Sequence, residues 1–158
     1  MFVKIGSYRS NHFKYLILFL FLMSVLVLTS CGKELTEEEK IEALIKDAAE
    51  KVEAKDLKGV IKYVSESYKD KEGGDRNQIK GLLFVYIRRY EKIGIFVRET
   101  EIEVNGDNAT ALVKLIFTGG ENIVPESGSR YILDLKLKLE DGDWRVVRAG
   151  WTESAGLF

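Results

Sequence analysis

The sequence predicts an α+β fold: helices first, then an antiparallel meander of at least four strands. Apolar residues recur at helical spacing from Ile41 to Tyr90 and then alternate from Ile95 to Trp151. The tight-turn pairs Asn105-Gly106 and Asp141-Gly142 punctuate the second region. Over 158 residues, 46% hydrophobic and 31% charged residues match a single globular domain rather than a disordered or polytopic chain.

Thr36-x-x-Glu39 is a capping box that opens a first helix over Glu37 to about Ala54. Its stripe is Ile41, Leu44, Ile45, Ala48, Ala49 and Val52. Asp56 caps a second helix from Leu57 to about Val64. The charged, glycine-containing stretch Lys69 to Gly74 is a loop. Asp75 caps a third helix that runs to about Lys92 and stops at Gly94. Ile79, Leu82, Leu83, Tyr86, Ile87 and Tyr90 form its stripe. Phe84 and Val85 widen it until the middle is apolar nearly all round, so this helix is expected to be the most buried.

The strands are expected at Ile95 to Val104, Asn108 to Phe117, Arg130 to Glu140 and Trp144 to Trp151. A longer loop, Thr118 to Ser129, holds the only proline, Pro125. Residues 152–158 read as a polar, flexible tail.

The N-terminal segment has a different logic. No acidic residue precedes Glu34, and Lys4, Arg9 and Lys14 make the leader positive. Tyr15 to Leu28 is apolar except for Ser24, and Leu28-Thr29-Ser30-Cys31 follows. This run is shorter than the roughly 20 residues of a comfortable membrane span. Leu-Thr-Ser-Cys resembles the bacterial lipobox. The resemblance implies that residues 1–30 are a lipoprotein signal peptide and that the Cys31 thiol is acylated. Residues 31–36 then tether an extracytoplasmic domain, 37–151, to a cell-envelope membrane through lipid.

Removing Lys4, Arg9 and Lys14 from the 24 basic residues leaves 21 against 25 acidic, a charge of −4. The sole histidine, His12, and both methionines, Met1 and Met23, lie in the leader. From Cys31 onward, chemistry that needs histidine as base or ligand is excluded, and no cofactor or metal site is expected. The charge balance gives no footing for nucleic acid.

Ala54-Lys55-Asp56-Leu57-Lys58-Gly59-Val60 and Asp141-Gly142-Asp143-Trp144-Arg145-Val146-Val147 are similar to the first helix joint and last hairpin of the nuclear transport factor 2-like superfamily. Many small α+β domains, including cystatin-like ones, share such an ending. The resemblance implies a cone: a curved sheet wrapped around a long helix, open to a pocket at one end. Family members include isomerases and dehydratases as well as non-enzymes, so the fold leaves function open.

The candidate pocket residues are Tyr86, Tyr90, Asp134, Trp144 and Arg148. Asp134 is either a general base inside an apolar cone or a solvent-facing carboxylate paired across the sheet. Tyr86 and Tyr90, one helical turn apart, either meet a ligand or pack in the core. Arg148 shares strand parity with Trp144 and Val146, where it would clamp an anion or pair with a carboxylate. Glu99, Glu101 and Glu103 read as a solvated strand face.

Three functions follow as expectations. The first is a lipid-anchored, non-catalytic module that binds a protein or small molecule. The second is an isomerase or hydratase using Asp134 and a pocket tyrosine. The third is a homodimeric assembly factor of the envelope.

Overall fold

The computed structural model describes residues 14–16, 34–120 and 128–155. The chain divides into two units, Met1–Glu34 and Leu35–Phe158. Of the first, residues 14–16 are helical and exposed. Cys31, the lipobox, His12 and Pro125 lie outside the described residues. Among the described residues no helix is long and apolar enough to cross a membrane.

The second unit has three helices, α1 (Glu37–Glu53), α2 (Leu57–Ile61) and α3 (Arg76–Arg89). Four strands follow: β1 (Lys92–Asn105), β2 (Asn108–Gly120), β3 (Ser129–Glu140) and β4 (Asp143–Ser154). They form one antiparallel sheet in the order β1-β2-β3-β4, the expected meander.

The helices begin where their caps dictate. Thr36 accepts from the Glu39 amide at 3.2 Å, and Glu39 accepts from the Thr36 amide at 2.7 Å. Asp75 and Gln78 repeat the device at α3. Asp56 caps α2 through the Gly59 amide at 2.9 Å.

The helix ends differ from expectation because the sheet captures them. α2 stops at Ile61 rather than Val64. The Tyr63 carbonyl accepts from the Val146 amide at 2.7 Å, and the Ser65 amide donates to the Val146 carbonyl at 3.0 Å. Residues 63–69 are thereby laid along the outer edge of β4, covering part of an exposed strand edge. α3 stops at Arg89, because Tyr90 is already extended and its carbonyl accepts from Lys55 Nζ at 2.7 Å. β4 continues through Ser154, with Thr152 opposite Ile132 and Glu153 opposite Tyr131. The tail expected from residue 152 is strand at least that far.

The two hairpins use different turns. Asp141 and Gly142 both have positive φ, 52° and 86°, as a type I′ turn requires. In the first hairpin Asn105 pairs with Asn108, so Gly106 and Asp107 form the turn, and only Gly106 (φ 58°) is left-handed.

Two β-bulges shape the sheet. Arg98 is extra between Val97 and Glu99, and Val147 is extra between Val146 and Arg148. Each strengthens the local twist and reverses which side of the sheet the following residues face. Ile41, Leu44 and Ile45 of α1 pack with Val113, Leu115, Leu135, Leu137, Trp144 and Val146 of the sheet in one core.

α3 is not the most buried helix. Ile79 and Ile87 are its only buried residues, while Leu82, Phe84, Val85 and Tyr86 are exposed. An apolar sequence all round does not bury a helix when the other described residues pack on only one side of it.

Candidate functional site

The space between α1, α3 and the concave sheet face holds a partly open apolar cavity of about 250 Å³. Ala48 and Ala49 of α1 leave room that larger side chains would fill. Val113, Leu115, Leu133 and Leu135 supply the sheet wall, and Ile79 and Leu83 supply the α3 wall. The half-exposed Trp151 also lines it. Among the described residues its only ionisable lining groups are the tyrosines Tyr63 and Tyr68.

Tyr68 is 1% exposed, yet its hydroxyl has no hydrogen-bond partner among the described residues. It lies beside the Ala149 backbone amide; burial first, then the charge of Asp70, push its pKa up. The group is therefore a neutral phenol beside the Ala149 N–H, with an O–H donor that has no acceptor among the described residues.

Tyr63 is engaged: its hydroxyl donates to Asp47 Oδ2. That bond, with burial and the Asp47 charge behind it, pushes the Tyr63 pKa from 10.0 up to about 12. The folded state thus holds this proton more tightly than the unfolded chain does. The resulting stabilisation is complete below pH 10 and is lost as pH rises through about 12. The melting temperature is expected to fall more steeply across that window in the native chain than in Tyr63→Phe. Melting curves at a series of alkaline pH values check this.

The structure separates the predicted pocket residues. Asp134 is exposed, opposite Gly150, and its nearest cation is Lys71 Nζ at 4.0 Å. It faces the outer side of the sheet, away from Leu133 and Leu135, and does not enter the cavity. Arg148 is also exposed. The Val147 bulge breaks its parity with Val146 and Trp144 and gives the inward place to Ala149, opposite Leu135.

Tyr86 is 47% exposed. Tyr90 packs its ring edge-on against Phe117, with centroids 5.3 Å apart at 66°. Trp144 is buried, and its Nε1 donates to Glu37 Oε2 at 2.7 Å, pinning the start of α1 to β4. None of these five residues lines the apolar cavity. The outward glutamates behave as expected: Glu99 and Glu101 pair with Lys114 at 2.7 and 3.6 Å. Asp134→Asn is expected to change stability by less than about 0.5 kcal/mol, since the pair with Lys71 is exposed and long. Urea titration of both chains measures it.

Tyr68 is the lining residue that periodicity misses, because it falls between α2 and the charged loop. The available signal was an aromatic residue isolated among Ser65, Glu66, Ser67, Lys69 and Asp70.

A second, open cleft of about 650 Å³ lies by the start of β4, lined by Lys40, Asp47, Lys51, Lys62, Trp144 and Arg145. Its cations are largely committed: Lys40 to Glu37 at 2.8 Å, Lys51 to Asp47 at 3.8 Å, Arg145 to Asp143 at 3.2 Å.

Solved structures share this architecture. An NTF2-like protein with a cystatin-like fold from Novosphingobium aromaticivorans aligns at TM-score 0.63 and 17% identity, covering 94% of each chain. A proposed dehydratase of the NTF2-like family from Streptomyces avermitilis aligns at TM-score 0.64 and 12% identity, covering 75% of this chain and 96% of its own. Bdellovibrio bacteriovorus Bd1075 aligns at TM-score 0.63 and 10% identity; 74% of this chain spans 40% of that one. No family model and no curated protein matches the sequence. The domain therefore has the NTF2-like, cystatin-like α+β fold. At these identities the likeness extends to the fold alone.

Proposed function

We propose that this chain is a lipid-anchored protein of the bacterial cell envelope whose domain binds a small, largely apolar ligand without transforming it. One observation carries the binding half: a partly open apolar cavity whose only ionisable lining groups among the described residues are tyrosines. A dry cavity of roughly 150 Å³ suffices for benzene. The 250 Å³ here suits a single small apolar ring. The hydratase reading, which the Streptomyces neighbour suggests, lacks a carboxylate in this cavity. Asp134, the residue it would use, stands outside. The anchoring half rests on Leu28-Thr29-Ser30-Cys31 and the basic leader.

Calorimetry with p-cresol as probe tests the binding half. Saturable binding is expected in the native chain. Ala48→Leu, which fills the space, is expected to abolish it. Binding unchanged in Ala48→Leu would place the ligand elsewhere, and turnover of the probe would refute a purely binding role. Mass spectrometry of the N-terminus tests the anchor: an intact Met1 or a free Cys31 thiol would refute it.

A further inference from the structure

α2 and α3 border an open groove of about 690 Å³ that shares no lining residue with the apolar cavity. Lys80, Phe84, Ile87 and Arg88 line it from α3, because steps of four, seven and eight residues return to one flank of a helix. Leu57 and Lys58 line it from α2. Lys55 stands at the joint before α2, and its Nζ donates to the Tyr90 carbonyl at 2.7 Å. That bond ties the joint to the end of α3 and holds the two walls to each other. Lys55 has the left-handed φ of 58°, a conformation that favours glycine. Glycine would lose both the reach to Tyr90 and the charge.

The charge of the groove is one-sided. Lys55, Lys58, Lys80 and Arg88 face a single carboxylate, Asp56, which already caps α2 through the Gly59 amide. Among the described residues none of these four cations makes an ion pair. In the cleft beside β4, by contrast, Lys40, Lys51 and Arg145 each have a carboxylate. Arg88 rests over the Phe84 ring, 5.2 Å from its centroid, and Lys55 rests on a carbonyl. Neither partner cancels the charge. This positive groove stands in a chain whose charge from Cys31 onward is −4. Its floor is apolar: Phe84 is 47% exposed and lies with Ile87 between Lys80 and Arg88 along α3.

We propose that the groove between α2 and α3 binds an extended acidic peptide segment of a partner protein, with an apolar side chain against Phe84. Lys80 and Arg88 are eight residues apart, about 12 Å along the helix axis. Four residues of extended chain, at about 3.4 Å each, cover that distance. Such a segment sets carboxylates near both cations and an apolar side chain between them. A compact anion such as phosphate would leave Phe84 and Leu57 unused. One carboxylate on a small ring would leave most of the charge unanswered. The proposal is independent of the lipid anchor and of the ligand in the apolar cavity.

The test uses the full chain in a non-ionic detergent and the fluorescein-labelled hexapeptide EEFLEE, read by anisotropy. Saturable binding with a Kd below about 1 mM is expected, weakening as salt is added. KKFLKK and EEGGEE are each expected to bind weaker by roughly tenfold or more. Lys58→Glu with Lys80→Glu is expected to weaken binding on the order of twentyfold. Lys136→Glu with Lys138→Glu makes the same change in net charge on the outer sheet face, and is expected to leave binding within about twofold. All four lysines are exposed, so the substitutions are expected to keep the fold. The peptide preference of the native chain tests the proposal without any variant.

Absence of saturation, or equal loss in the two charge-reversed chains, would overturn the groove as the site. Equal affinity for EEGGEE, or displacement by millimolar inorganic pyrophosphate at constant ionic strength, would give the groove to a compact anion and overturn the peptide. A chain that sediments as a dimer until Lys58→Glu and Lys80→Glu are introduced would give the groove to a second copy and also overturn it.

Discussion

Ile41→Ala is expected to destabilise the domain by about 4 kcal/mol, near the upper end for removing a buried isoleucine. Ile41 is 0% exposed and belongs to the core formed by α1 and the sheet. The loss has two parts: the transfer free energy of the deleted methyl and methylene groups, and the cavity they leave. The second part is large here because relaxation is constrained on both sides. α1 is fixed at its start by the Thr36–Glu39 capping box and by Trp144 bonded to Glu37. The facing wall is a continuous hydrogen-bonded sheet. A domain of this size has a total stability of roughly 5–15 kcal/mol, so the substitution removes a large share. Urea unfolding should show a lower midpoint at an unchanged slope. Val85→Ala, at the most exposed apolar position of α3, serves as the control and is expected to cost less than about 0.5 kcal/mol.

Arg76→Met is the second large effect, about 3 kcal/mol. Arg76 Nε donates to the Val64 carbonyl at 3.0 Å, and one terminal nitrogen donates to the Ile61 carbonyl at 2.9 Å. The other terminal nitrogen pairs with Glu66 at 2.9 Å. Glu66 is 87% exposed and adds little. The two carbonyls matter more. They belong to the buried residues Ile61 and Val64, just where α2 breaks to join the edge of β4. Methionine keeps the aliphatic stem but leaves both acceptors without this donor, and hydrogen bonds from charged groups are worth roughly 1.5–3 kcal/mol each. Arg76→Lys is expected to recover only part of the loss, because an ammonium lacks the planar fork that reaches two carbonyls at once. Chemical denaturation of the three chains orders them as native, lysine, methionine.

The legible and illegible parts of the chain divide along the range of the interactions involved. Thr36, Asp56 and Asp75 could be read as caps because a cap involves residues three apart. The hairpins could be read from Asn105-Gly106 and Asp141-Gly142 for the same reason, although the first turn settles one residue later. The inward positions of β2 and β3 followed from alternation alone, and Ala109, Ala111, Val113, Leu135 and Leu137 are buried as that predicts. Arg148 shows where alternation fails. A single extra residue, Val147, reverses its side of the sheet, and no local pattern distinguishes it from its neighbours. Asp134 could be placed only as one of two alternatives, and the outward one holds because it follows the period-2 rule without a bulge. The burial of α3 was overestimated because hydrophobicity states what a helix can bury, not how much chain is present to cover it.

The sequence by itself determined the class of fold, the order of its elements, the capped helix starts, and the absence of histidine from Cys31 onward. These depend on residues close along the chain and on composition. The tertiary structure alone decided that Tyr68 is buried beside an apolar cavity, that Arg148 and Asp134 stand outside it, and that α3 buries only Ile79 and Ile87. Each of these depends on what the folded chain brings from far away in sequence. Burial and the satisfaction of hydrogen bonds are properties of that packing, not of any segment within it.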